Sequence, residues 1–133
     1  MQTFDVQSIG IKAPASKVFA FVAEPSNLSR WTNAFKRADD KTALMATPQG
    51  EVDIGLTTVA HAGAGSVDWK MTFPDGSVGT AYSRVTPDGD GAIYSFVLMA
   101  PPVALEALEG ALEAQRGILA EELKHLKSVM ENQ

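Results

Sequence analysis

After Pro101-Pro102 the sequence carries one apolar stripe almost to its end, with Leu105, Leu108, Leu112, Leu119, Leu123, Leu126 and Met130 separated by three, four or seven positions. That spacing describes one face of an α-helix, and a helix from 103 to 131 would be about 43 Å long at 1.5 Å per residue. A face of that length has to be buried. A coiled coil with another chain is one arrangement, but the residues preceding this helix offer a nearer surface.

Between about 35 and 100 the sequence is punctuated by turn signals: Thr47-Pro48-Gln49-Gly50, Ala62-Gly63-Ala64-Gly65, Pro74-Asp75-Gly76 and Pro87-Asp88-Gly89-Asp90-Gly91. The runs between them alternate as strands do. Val52, Ile54 and Leu56 alternate with Glu51, Asp53 and Gly55, and Val67, Trp69, Met71 and Phe73 alternate with Asp68, Lys70 and Thr72. One face is apolar and the other is wet, which describes an antiparallel meander with a face to offer the long helix. Residues 3–11 alternate less cleanly but still suit a strand. Pro14 then opens a short helix with Val18, Phe19, Phe21 and Val22 on its apolar side, and Glu24-Pro25 ends it. A further helical turn, Ser26-Asn27-Leu28-Ser29-Arg30, starts from Ser26 as its cap and delivers Trp31.

The whole, residues 1–133, is one α+β domain of 133 residues with 45% hydrophobic and 20% charged content. A chain of that length buries roughly two thirds of the surface it exposes when unfolded, so it can hold a core and an internal cavity. It has no cysteine, which removes thiol nucleophiles and thiolate metal sites and fits a reducing compartment. The formal charge is −5 and the only adjacent basic pair, Lys36-Arg37, is followed by Asp39-Asp40, a pattern that opposes nucleic-acid binding. No leader-like segment opens the sequence and no run reaches the 18 or so apolar residues of a membrane span, so the expectation is a cytoplasmic protein without stable membrane insertion.

The run from Ile11-Lys12-Ala13-Pro14 through Val18-Phe19-Ala20-Phe21-Val22 to Asn27-Leu28-Ser29-Arg30-Trp31 resembles the opening of the START-like, SRPBCC superfamily, in particular its polyketide cyclase/dehydrase-like members. The order of elements matches over nearly the whole chain. The resemblance implies a helix-grip fold, a curved antiparallel sheet of six to seven strands wrapped around the C-terminal helix, with an apolar cavity between them. It does not imply an activity, because members include lipid carriers, receptors, cyclases and co-chaperones. It also implies that Trp31 stands near the cavity entrance, where it would anchor the short helices as well.

A ligand in that position would meet Ile54, Leu56, Trp69 and Met71 from the sheet and Leu108, Leu112 and Leu119 from the helix, unless those residues simply pack solid. Small residues on the helix, among them Gly110 and Gly117, cost about 1 kcal/mol per glycine relative to alanine and point to a need for room, for a ligand or for a close crossing. On that reading Gly117→Leu blocks the cavity. Gln115, seven after Leu108, puts an amide on the stripe, where it orients a ligand or bonds to a strand edge.

The facing of residues 77–86 depends on the preceding turn. A two-residue turn at Asp75-Gly76 pairs Phe73 with Val78 and places Thr80, Tyr82 and Arg84 inside, with Arg84 able to hold a carboxylate or enolate oxygen. A one-residue bulge reverses this and turns Gly79, Ala81, Ser83 and Val85 inward. Ordinary register rules favour Tyr82 inward. The last strand shows Tyr94, Phe96 and Leu98 on one face and Ile93, Ser95, Val97 and Met99 on the other, with Phe96 taken as a ligand contact.

No catalytic residue is identified. His61 and His125 are 64 positions apart with no carboxylate at ligand spacing, Asp88-Gly89-Asp90-Gly91 lacks the later ligands of a calcium loop, and no phosphate loop or nucleophile elbow is present. The sequence therefore calls for no metal and no cofactor. Its first reading is a protein that binds a small or medium hydrophobic molecule. The alternatives are a cyclase/dehydratase-like enzyme using Tyr82, Arg84 or Gln115, and an interaction module with a filled core whose acidic helix face, Glu106, Glu109, Glu113, Glu121 and Glu122, meets a partner. Homodimerisation is left open.

Overall fold

A computed structural model describes residues 3–47, 50–100 and 105–132, with the side chains of 47 and 105–112 excepted. The elements are β1 (Phe4–Ile11), α1 (Ala15–Ala23), a 3-10 turn (Pro25–Asn27), α2 (Leu28–Trp31), β2 (Phe35–Ala38), β3 (Thr42–Thr47), β4 (Gly50–His61), β5 (Ser66–Thr72), β6 (Val78–Asp88), β7 (Gly91–Met99) and α3 (Leu105–Glu131). The seven strands form one antiparallel sheet in the order β1-β7-β6-β5-β4-β3-β2. Successive hairpins explain that order from β2 to β7, and α1, the 3-10 turn and α2 carry the chain from one edge to the other. The sheet curls into a half-barrel and α3 packs on it beside β1 and α2.

The apolar stripe of the long helix explains its position. Leu119, Leu123, Leu126 and Met130 are buried with Val18, Phe21 and Val22 of α1 and with Leu28 and Trp31 of α2. Ser26 does not cap the second helical turn. Pro25, whose fixed φ suits a first helical position, starts that turn one residue earlier, and Ser26 Oγ donates to Glu24 Oε1 at 3.0 Å. Asn27 makes no cap hydrogen bond either; its amide donates to the Phe21 carbonyl at 3.1 Å.

The turn before β6 overturns the expected facing of Tyr82 and Arg84. Phe73 N–H donates to the Ser77 carbonyl at 2.9 Å and Gly76 N–H to the Phe73 carbonyl at 2.9 Å, so the loop is Pro74-Asp75-Gly76 and Phe73 pairs with Ser77 rather than Val78. Gly76 supplies the left-handed residue at φ +86° that a three-residue hairpin loop requires. Asp75 Oδ1 accepts from Ser77 N–H at 2.9 Å and from its hydroxyl at 2.6 Å, which fixes the loop further. A shift of one residue moves every side chain of the strand to the opposite face. Gly79, Ala81, Ser83 and Val85 therefore point inward, Tyr82 is 42% exposed, and Arg84 lies outside with Nε donating to the Ala64 carbonyl at 3.1 Å.

Candidate ligand-binding face

The concave face follows from register. Thr58 of β4 stands opposite Trp69 of β5, Trp69 opposite Ala81 of β6, and Ala81 opposite Leu98 of β7. One step along, Val67 meets Ser83 and Ser83 meets Phe96. The inward residues of β6 are small, and Trp69 and Phe96 stack across them with ring centroids 5.9 Å apart and planes at 26°. Phe96 continues edge-on to Tyr94 at 6.3 Å, and Tyr94 to Trp31 at 6.0 Å. Four aromatic rings thus run from the middle of the sheet to α2.

Burial is graded along this face. At one end Ile11, Ala92, Val85 and Val67 are buried; at the other Val52, Met71, Phe73, Gly79 and Leu98 are partly exposed. The grade makes the Met71–Leu98 end the more exposed side of the aromatic rings.

Within the apolar lining stand polar hydrogens that lack partners. Trp69 is 6% exposed and Trp31 2%, and neither indole Nε1 nor the buried Thr58 Oγ1 has a hydrogen-bond partner among the described residues. A buried donor without an acceptor costs about 1–3 kcal/mol, a penalty that an acceptor atom placed beside it removes.

The face also carries two titratable groups, Tyr94, which shares its strand face with Phe96, and Glu122 of α3. Glu122 does not belong to the acidic outer face of the helix: it is 9% exposed, and its Oε2 accepts from Asn33 N–H at 2.6 Å and Ala34 N–H at 3.4 Å. Burial raises its carboxyl above the ordinary value, with those two hydrogen bonds pulling the other way. Tyr94 is fully buried, and burial raises its phenol as well; Ser83 beside it opposes the rise and the Glu122 charge adds to it. Ser83 itself donates to the Val67 carbonyl at 2.6 Å. The signal for Glu122 was present in the spacing, since it lies three after Leu119 and four before Leu126.

Of the expected ligand contacts, Trp31, Ile54, Leu56, Trp69, Phe96 and Leu119 are buried, and Met71 is partly so. Tyr82 and Arg84 are outside for the reason given. Gln115 is half-buried, and the side chains of Leu108 and Leu112 lie outside the described residues. A Cβ built on Gly117 meets nothing within 4 Å and the residue is exposed, so it makes no room on the concave face. It belongs instead to an open groove lined also by Asp5, Gln7, Glu113 and Arg116 between β1 and α3. Thr58 continues the alternation of Ile54 and Leu56 by two residues, a place on this face that its polar type conceals in the sequence. His61 and His125 are exposed, and no helix among the described residues is long and apolar enough to cross a membrane.

Residues 2–131 match the family model described as polyketide cyclase / dehydrase and lipid transport. No curated protein matches the chain in sequence. Among solved structures, a START superfamily protein from Mycobacterium smegmatis superposes with TM-score 0.73 at 11% identity, covering 98% of this chain and 99% of that one. The protein XoxI from Bacillus cereus gives TM-score 0.72 at 14% identity over 97% and 96% of the two chains. The di-domain ARO/CYC BexL of the BE-7585A biosynthetic pathway gives 0.73 at 17% identity over 96% of this chain and 46% of its own length. Likenesses at that identity establish the helix-grip fold, and the family match over nearly the whole length establishes more: the chain belongs to the polyketide cyclase / dehydrase and lipid transport family.

Proposed function

We propose that the protein binds a small or medium hydrophobic molecule between the concave face of the sheet and α3. One observation carries the reading. Trp69 Nε1 and Thr58 Oγ1 come from residues directly opposite each other on neighbouring strands, both buried in apolar surroundings, and neither atom has a partner among the described residues. A molecule with an apolar body over Trp69 and Phe96 and one acceptor oxygen toward Trp69 satisfies both the area and the donor. Family membership supports the same reading, since lipid transport and cyclisation both require an apolar molecule to be enclosed.

Catalysis of the cyclase type is the second reading, favoured by one observation, the inward-facing pair Tyr94 and Glu122. Tyr82 and Arg84 no longer support it.

Native mass spectrometry of the purified protein, compared with the same sample denatured, tests binding. Non-covalently held mass at near-stoichiometric level, reduced in Trp69→Phe, is the expected result. No retained mass, together with no thermal shift from a panel of lipids, polyketides and aromatic esters, would move the weight to the interaction module.

A further inference from the structure

We infer that the ligand of this face is uncharged: an apolar molecule bearing a carbonyl, ether or hydroxyl oxygen, and not a carboxylate or other anion. The inference rests on the binding reading above and adds the ligand's charge class. It comes from a survey of the chain's cationic side chains. Of the eleven Lys and Arg residues, nine are exposed, and both histidines are exposed. The remaining two are taken. Arg116 contacts Asp5 at 3.3 Å and Glu113 at 3.0 Å, and Lys127 is bonded to Glu131. Residues 48–49 and 101–112 contain no Lys, Arg or His, so those stretches supply no cation either.

What is buried on this face is a set of neutral donors and an acid, while Asp5 at its β1 edge is already paired with Arg116. Trp69, Thr58 and Trp31 present N–H and O–H groups, and Glu122 is the charged residue type buried near Tyr94. A neutral oxygen gains a hydrogen bond there at small desolvation cost. An anion loses its hydration, finds no unpaired cationic side chain on this face among the described residues, and shares the interior with the buried Glu122 carboxyl. Specificity of this kind arises from what the site withholds as much as from what it offers.

Two fluorescent probes that share one skeleton separate the cases: N-phenyl-1-naphthylamine, which is uncharged, and 8-anilinonaphthalene-1-sulfonate, which adds one sulfonate. The whole chain is titrated with each, using Trp31→Phe so that Trp69 is the sole tryptophan and its quenching reports binding at this face. The expected result is quenching of Trp69 by the uncharged probe and binding of the sulfonate at least about tenfold weaker, with no displacement of the first probe by the second. A methyl 2-naphthoate and 2-naphthoate pair, followed by thermal shift of the unaltered protein, repeats the comparison without a variant. Equal or tighter binding of either anion overturns the charge inference and leaves the binding reading standing. Failure of all four compounds to bind overturns both.

Discussion

Trp69 and Phe96 stack at 5.9 Å across β6, a strand to which neither belongs. The contact exists because Ala81 and Ser83 lie between them in the sheet and rise too little to separate the rings. An aromatic pair of this geometry contributes about 0.5–1.5 kcal/mol beyond the area it buries.

Ala81→Leu is expected to break that arrangement. Three extra carbons beneath the rings over-pack the face and cost about 1–3 kcal/mol. The near-ultraviolet circular dichroism of the tryptophans should weaken while the far-ultraviolet spectrum holds. If the native-state aromatic signal is unchanged, the stack does not depend on a small residue at position 81.

The architecture was legible because long periodic patterns survive local ambiguity. The stripe from Leu105 to Met130 and the alternation of Val67, Trp69, Met71 and Phe73 each repeat often enough to name their element and buried face. The face of β6 was not legible, because it hangs on whether Gly76 closes a three-residue loop, and one residue of loop length reverses Tyr82 and Ser83 together. Glu122 was obscured by its type rather than its position: a helix with Glu106, Glu109, Glu113 and Glu121 on it presents a buried glutamate as one more solvated charge. Its partners, the N–H groups of Asn33 and Ala34, lie 89 and 88 positions away, and no local pattern reveals them.

Glu122 should make stability fall as pH rises. Its carboxyl binds a proton more tightly when folded than at the ordinary value of 4.5, so the folded state holds more protons than the unfolded one just above that value. Stability from this group is then fully present below 4.5 and is lost as pH climbs through the raised value. Urea unfolding at about pH 4 and about pH 7.5 compares the protein with Glu122→Gln, which keeps an acceptor but cannot ionise. The expected outcome is a gap between the two that shifts in favour of the variant at the higher pH; a gap independent of pH refutes it. Glu122→Ala also strips the acceptor from two backbone donors and should cost about 1–3 kcal/mol at either pH.

Gly65 sits where no other residue fits. Its φ is +72° and an added Cβ would lie 2.3 Å from the Val85 carbonyl oxygen, while its own carbonyl accepts Val85 N–H at 2.8 Å. Gly65→Ala should cost more than about 2 kcal/mol, from left-handed strain plus the displaced strand. Gly10→Ala is the control, since a Cβ there meets nothing within 4 Å, and it should change stability by less than about 0.5 kcal/mol. Equal effects in thermal unfolding would mean that the β4–β5 turn yields to let the methyl in.

Asp5 holds the long helix against the sheet edge. On β1 the inward positions are Asp5, Gln7, Ile9 and Ile11, so two polar residues face α3 while Phe4 and Val6 are 48% and 55% exposed on the outer side. That inversion of the usual polarity has a reason. Asp5 Oδ1 contacts Arg116 Nε at 3.3 Å, and Gln7 Nε2 donates both to Asp5 Oδ2 at 2.8 Å and to the Arg116 carbonyl at 2.9 Å. The Asp5 side chain is 14% exposed and that of Arg116 34%, so the pair is only partly screened and worth about 1 kcal/mol rather than nothing. Asp5→Asn keeps the shape and the acceptor for Gln7 but removes the charge. It should lower stability by about 1 kcal/mol at low salt and by about half that near 1 M, because the Debye length shrinks to about 3 Å. In Glu113→Gln, which removes an exposed partner of the same guanidinium at 3.0 Å, the loss should be smaller. A cost for Asp5→Asn that does not change with salt would show that the contact acts through packing, leaving Gln7 as the residue that ties β1 to α3.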